Sequence, residues 1–124
     1  YRAYGFDVLT DPFLITKGPF GIRKQKVIKV YDFPEGRSHF GLFNQSGNVW
    51  EWIFDGYHRK FYTMNDINYD NPVGIPDSRT KVLRGGAVSY EAFKARLTYR
   101  DHDYPQSFSP YLGFRCAKPG AHKE

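Results

Sequence analysis

Between Asn48 and Phe54 the chain alternates. Val49, Glu51 and Ile53 fall on one side, while Trp50, Trp52 and Phe54 fall on the other. A period of two is that of a β-strand, so this stretch predicts a strand with an aromatic face toward the core. Val27 to Tyr31 reads Val-Ile-Lys-Val-Tyr, a second β-prone run, closed by a turn at Asp32-Phe33-Pro34-Glu35-Gly36. Lys81 to Leu83 predicts a brief strand ending at Gly85-Gly86, where the backbone needs a freedom that a Cβ denies. Phe114 to Ala117 predicts a closing strand, and Ser89 to Arg96 has room for two helical turns. Asn65 to Ser78 is rich in Asp, Asn and Pro and reads as a long surface loop. Periodicity alone gives an α+β, loop-rich chain.

At 124 residues the chain is of single-domain size, able to bury about two-thirds of its unfolded surface. Residues 1–26, with Asp11-Pro12 and Gly18-Pro19, read as an extended, turn-punctuated arm or the remnant of a preceding segment, and 27–124 as the domain proper. Aromatic residues make up 19% of the chain, with ten Tyr and eleven Phe, so large rings are expected to fill the core. The chain begins at Tyr1 and its only Met is Met64, as expected of a chain processed or cut from a larger one. No apolar run approaches the ~20 residues needed to span a bilayer.

Two features bear on chemistry. The lone Cys116 excludes an intrachain disulfide and is expected to be a small buried hydrophobe. The net charge of +5 is concentrated in part at Lys17, Arg23, Lys24, Lys26 and Lys29. Such a run suits a solvated edge strand that discourages aggregation, or docking onto an acidic partner or nucleic acid. No nucleic-acid motif accompanies it, which favours the first reading.

The most specific segment is Gly41-Leu42-Phe43-Asn44-Gln45-Ser46-Gly47-Asn48-Val49-Trp50-Glu51-Trp52. After it come Asn71-Pro72-Val73-Gly74, then Lys81-Val82-Leu83-Arg84-Gly85-Gly86, then Tyr99-Arg100 and Leu112-Gly113-Phe114-Arg115-Cys116. In order and spacing these blocks resemble the C-terminal half of the formylglycine-generating enzyme (sulfatase-modifying factor) domain family, over roughly residues 27–118. The family's N-terminal half has no counterpart in these residues, as expected either of a reduced fold or of a chain cut from a longer one. The resemblance implies a loop-rich α+β variant of the C-type lectin-like fold, with short antiparallel strands. It also implies a calcium ion held by the side chains of Asn44 and Glu51 and the carbonyls of Gly47 and Val49. Hard Ca²⁺ takes six to eight oxygens of such mixed kinds. The rival reading is a plain turn at Asn44 and Gly47 with Glu51 on a solvated face.

Enzymes of that family oxidise a substrate cysteine using copper held by a cysteine pair between the RGG and GFR blocks. Here that interval contains no Cys, and Tyr, Lys or Glu cannot replace thiolates as soft ligands for Cu(I). Copper is therefore not expected. Asp101-His102-Asp103 sets an imidazole between carboxylates, but in an extended chain consecutive side chains face opposite ways, so they read as surface residues. Trp50 and Trp52 are expected as core anchors. Arg84, Gly85, Gly86, Arg100, Gly113, Phe114 and Arg115 are expected to be architectural, the arginines tying carbonyls together.

The sequence thus points to a non-catalytic, calcium-stabilised recognition or structural module. It would bind a protein or glycan through loops 55–80 and 87–111, rich in Tyr, Asn, Asp and Ser. Its setting would be extracytoplasmic: a secreted, cell-surface or virion assembly. The alternative is an oxidative enzyme of the same family using a non-cysteine centre near Tyr90 and Tyr99. A third reading is a polyanion binder acting through the basic arm.

Overall fold

The computed structural model describes residues 2–3, 6–7, 27–64, 67–68, 70, 72–88 and 90–117. Strands β1 (Arg2–Ala3) and β2 (Phe6–Asp7) pair antiparallel as a two-stranded ladder. The basic positions Lys17 to Lys26 lie outside the described residues. The remaining strands form one mixed sheet: β3 (Trp50–Gly56), β4 (Lys81–Arg84), β5 (Asp101–Asp103) and β6 (Leu112–Gly113), in the order β5-β4-β3-β6. β3, β4 and β5 are antiparallel neighbours, whereas β6 lies parallel to β3. Among the described residues, helical structure is confined to 3-10 turns at Pro34–Gly36, Phe61–Thr63 and Ala92–Ala95. A small mixed sheet with short helical turns is an α+β arrangement. No described helix is long and apolar enough to cross a membrane.

Register explains which residues form the core. Trp50 lies opposite Leu112, and Trp52 opposite Leu83, so their side chains share one face of the sheet. Trp50, Leu83 and Ala87 are buried there, with Trp52, Tyr90, Tyr99, Tyr111 and Leu112 packed around them. The pairing shifts between Trp52 and Gly56. Such an irregularity re-aims side chains, and Phe54, expected on the core face, is instead 84% exposed. Lys81 covers part of that ring, its Nζ 5.4 Å from the centroid and donating to the Phe54 carbonyl at 3.0 Å.

The far end of β3 is held by the Pro72–Gly74 stretch. Gly74 donates its N–H to Asp55 Oδ1, and Ser78 Oγ donates to the Tyr57 carbonyl at 2.7 Å. A Cβ on Gly56 would collide with the Ile75 carbonyl oxygen. This close backbone approach requires glycine at Gly56.

Four expectations are corrected. Residues 27–31 form no strand; Lys29 and Asp32 close a turn, with Asp32 N donating to the Lys29 carbonyl at 3.2 Å. The closing strand is Leu112–Gly113, two residues earlier than predicted, and Phe114 is exposed. Within the described residues 90–96 there is one short 3-10 turn, Ala92–Ala95, instead of two helical turns. Cys116 is exposed, because the chain has left the sheet by then.

Candidate functional site

Two turns in the left-handed region build the centre of the molecule. Gly47 (φ 94) and Asn48 (φ 67) form the first, Gly85 (φ 90) and Gly86 (φ 72) the second. They face each other: Gly47 N donates to the Gly85 carbonyl at 2.7 Å, and Val88 N to the Asn48 carbonyl at 3.0 Å. Asn48 is a favourable non-glycine residue for this conformation, and its amide works as a surrogate strand partner. Oδ1 accepts from Ile28 N at 3.0 Å while Nδ2 donates to the Ile28 carbonyl at 3.4 Å. Ser46 Oγ donates to the Ala95 carbonyl at 2.7 Å, and Trp50 N to the Tyr111 carbonyl at 2.8 Å. Gly86 presses so near the 3-10 turn that a Cβ would stand 2.9 Å from Ala95 Cα. The segments around Gly47, Gly85 and Tyr111, distant in sequence, are thus knitted into one hub.

Glu51 and Arg115 meet at its edge. Arg115 Nε donates to Glu51 Oε2 at 2.7 Å and Nη2 donates to Oε1, a two-pronged pair. Nη2 also donates to the Phe43 carbonyl at 2.9 Å. The side chains are 18% (Glu51) and 33% (Arg115) exposed, so water only partly screens them. Gly113, two residues before Arg115, lies directly opposite Glu51 in the β3–β6 ladder.

Glu51 is one of the four positions expected to bind calcium; the others are Asn44, Gly47 and Val49. Asn44 adopts φ 52 and donates Nδ2 to the Val30 carbonyl at 3.4 Å. The Val49 carbonyl oxygen lies 4.0 Å from where a Cβ on Gly85 would stand. Their oxygens are of the kind Ca²⁺ takes. Glu51 is the one carboxylate of the set, however, and a guanidinium already occupies both its oxygens. A divalent ion there would meet a neutralised ligand and an adjacent positive charge. In this arrangement the cation at Glu51 is Arg115, and a calcium ion would have to share the carboxylate with it or displace it. Among the described residues no cluster of three or more His, Cys, Asp or Glu is placed to hold a metal.

The interval between the second turn and β6 is filled by aromatic packing. Tyr90 meets Trp50 edge-on with centroids 5.6 Å apart, Tyr99 lies 6.2 Å from Trp50, and Phe93 meets Tyr99 edge-on at 5.5 Å. Lys94 lies over the Tyr90 ring at 5.3 Å, 3.5 Å from Asp101 and 3.6 Å from Glu91. Burial pushes its ammonium down, but Asp101, Tyr99 and Glu91 together outweigh that and hold it above the ordinary lysine value. Asp101 and Asp103 turn onto the backbone: Asp101 Oδ1 accepts from His102 N at 3.0 Å, and Asp103 Oδ1 from Tyr104 N at 2.8 Å and Ser107 Oγ at 2.7 Å. His102 stacks on Tyr57 at 4.0 Å. These three residues do not converge on a common point.

A second cluster escaped sequence reasoning. Arg84 follows Leu83 in β4, so it points to the face away from Trp50. Its Nη1 donates to the Tyr99 carbonyl at 3.2 Å. Arg100 lies over the rings of Tyr62 at 4.8 Å and Tyr57 at 5.5 Å, and its Nη2 donates to the His58 carbonyl at 3.4 Å. Burial depresses the Arg84 guanidinium below its ordinary value; Tyr62 and Asp55 oppose this, while the charge of Arg100 adds to it. Among the described residues, His58 Nδ1 is buried without a hydrogen-bond partner. The sequence signal available was the two arginines of the RGG and Tyr-Arg blocks, but nothing in it paired them with Tyr57 and Tyr62.

The profile of the family described as the sulfatase-modifying factor enzyme 1-like domain matches residues 15–119. Serine/threonine-protein kinase Pkn1 of Chlamydia trachomatis is 37% identical over 81 residues, which is 65% of this chain but 13% of that protein. Formylglycine-generating enzyme of Streptomyces coelicolor is 36% identical over 80 residues, 62% of this chain and 25% of the enzyme. Inactive C-alpha-formylglycine-generating enzyme 2 of Bos taurus is 33% identical over 96 residues, 73% of this chain and 26% of that protein. The chain therefore spans a quarter or less of the length of most curated relatives it matches.

Proposed function

Because the chain belongs to the family of the sulfatase-modifying factor enzyme 1-like domain, we propose that it is a non-catalytic recognition or structural module. One observation carries this reading. The interval between Gly86 and Leu112, where copper-binding cysteines would be needed, contains none, and aromatic rings fill the space over Trp50. A relative whose name calls it inactive supports the idea that the scaffold outlives the chemistry. The module would engage a protein or glycan through loops 55–80 and 87–111, on a scaffold of the C-type lectin-like type. The kinases named Pkn1, in which the matched region is a small part, support a place within a larger protein or assembly. An extracytoplasmic setting, secreted, cell-surface or virion-associated, belongs to this proposal.

Calcium enters the proposal as a competitor. Asn44, Gly47 and Val49 offer oxygens beside Glu51, and Ca²⁺ would take that carboxylate from Arg115 or share it. The function itself is tested by supplying copper and a cysteine-containing peptide to the purified chain. No oxygen uptake above that of the peptide and copper alone is expected. Turnover would replace the recognition reading with an enzymatic one.

A further inference from the structure

Arg84 and Arg100 present an unresolved electrostatic problem. Both are partly buried, Arg84 donates to the carbonyl of Tyr99, the residue before Arg100, and the charge of Arg100 acts on Arg84. Yet among the described residues neither belongs to an ion pair; those present join Lys94 to Glu91 and Asp101, and Arg115 to Glu51. Asp55 is the carboxylate that acts on Arg84, and its Oδ1 already accepts the Gly74 N–H. Partly buried charges in proteins are normally paired, because removing them from water is costly otherwise. A guanidinium carries five N–H donors. The described hydrogen bonds take one from each arginine, to Tyr99 and His58 carbonyls, and both serve to aim the group. Arg100 lies over the rings of Tyr57 and Tyr62, and the one described hydrogen bond of its guanidinium leaves further N–H donors for a ligand.

We propose that Arg84 and Arg100 together receive a carboxylate from an acidic segment of a partner protein. This rests on the reading of the chain as a recognition module and names the chemistry of its partner. The local charge favours a single carboxylate: two guanidiniums offset by Asp55 leave one net positive charge, suited to a monoanion and under-charged for a phosphate dianion. The rings argue against a sugar or nucleobase. Tyr57 is committed to His102 and Arg100, and Tyr62 to Arg100, so neither is an open stacking platform. A bidentate carboxylate bridging two preoriented guanidiniums is a strong, directional contact. Its position between loop 57–64 and the Tyr99-Arg100 strand entry falls where both candidate binding loops meet.

The test is a titration of isotope-labelled protein followed by NMR, using acetylated, amidated tetraglutamate, the matching tetraglutamine and inorganic sulfate as probes. Tetraglutamate is expected to shift the Nε–H signals of Arg84 and Arg100 and the amides of Tyr57 to Tyr62, and tetraglutamine to leave them in place. Arg100→Gln should weaken binding at least tenfold, Arg100→Lys should fall between, and the exposed, remote Arg37→Gln should bind as the parent does. Folding of each variant is read from its spectrum, and the charge-conserving Lys variant carries the test if the Gln variant unfolds. Unmoved Arg84 and Arg100 signals at millimolar tetraglutamate would overturn the proposal, as would parental affinity in folded Arg100→Gln. Sulfate binding without tetraglutamate binding would reduce the site to one for small anions and equally overturn it. Tetraglutamate shifts confined to residues 104–111 would overturn this site while leaving the recognition reading intact.

Discussion

Arg115, two residues beyond β6, grips both carboxylate oxygens of Glu51, and its Nη2 also holds the Phe43 carbonyl. One side chain thereby closes β6 against β3 and against the loop that leads into the first turn. The pair is neither fully buried nor fully wet, so its worth should lie between the extremes for surface and interior ion pairs. A double-mutant cycle with Glu51→Gln and Arg115→Gln is expected to give a coupling of about 1–2 kcal/mol in denaturant melts. Coupling below about 0.3 kcal/mol would show that the two groups are independently solvated.

Calcium and Arg115 are expected to compete for the same carboxylate. A ligand that binds only the native state adds about 2.7 kcal/mol at a hundredfold excess over Kd. Melting temperatures measured in millimolar calcium and in chelator should therefore differ. Arg115→Gln should be less stable in chelator yet gain more from calcium than the parent does. Identical melts in both media, for both proteins, would remove calcium from the account and leave Arg115 as the counter-ion.

Two glycines offer a matched pair. Gly41 (φ 81) and Gly86 (φ 72) share a left-handed backbone, but a Cβ on Gly41 meets nothing within 4 Å, whereas one on Gly86 meets the backbone of Lys94 and Ala95. Gly41→Ala should cost only the conformational strain, about 1–2 kcal/mol. Gly86→Ala adds a clash that rigid backbone cannot relieve, for a total of about 2–5 kcal/mol. Equal losses, measured by chemical denaturation, would mean that the Gly86–Ala95 approach is not a feature of the folded chain.

How much of this was legible beforehand follows from the physics of each element. β3 and β4 carry runs long enough for alternation to register, and their expected bounds differ from the observed ones by two residues or fewer. Of the hub only the turns at Gly47 and Gly85-Gly86 were legible, because such turns favour glycine; Asn48, expected to begin the strand, stands in a left-handed turn before it. β5 was not, since Asp101, His102 and Asp103 pair only as a polar edge against Lys81 to Leu83, and three residues establish no period. The outward turn of Phe54 depends on a register shift, and the place of β6 on a parallel partner more than fifty residues away. Neither leaves a local trace in composition.

Cys116 illustrates the same point and carries its own prediction. Its neighbours suggested an inward-facing thiol, but the side chain is exposed. It should react to completion with a thiol reagent in the native protein, without denaturant. Cys116→Ser should change stability by no more than about 0.5 kcal/mol, the usual range for surface positions. Protection of the thiol until the protein is unfolded would restore it to the interior.

The parallel seam between β3 and β6 has a consequence in time. A chain is made from its N-terminus at about 5–20 residues per second. Some 64 residues separate Glu51 from Arg115, so roughly 3–13 s elapse on the ribosome between the birth of the acid and of its base. Through that interval Trp50 is without Leu112 and Tyr111, and the Glu51 charge is without its partner. The nascent chain must carry β3 half-covered until β6 emerges, so the core face around Trp50 is completed only by residues made long after it.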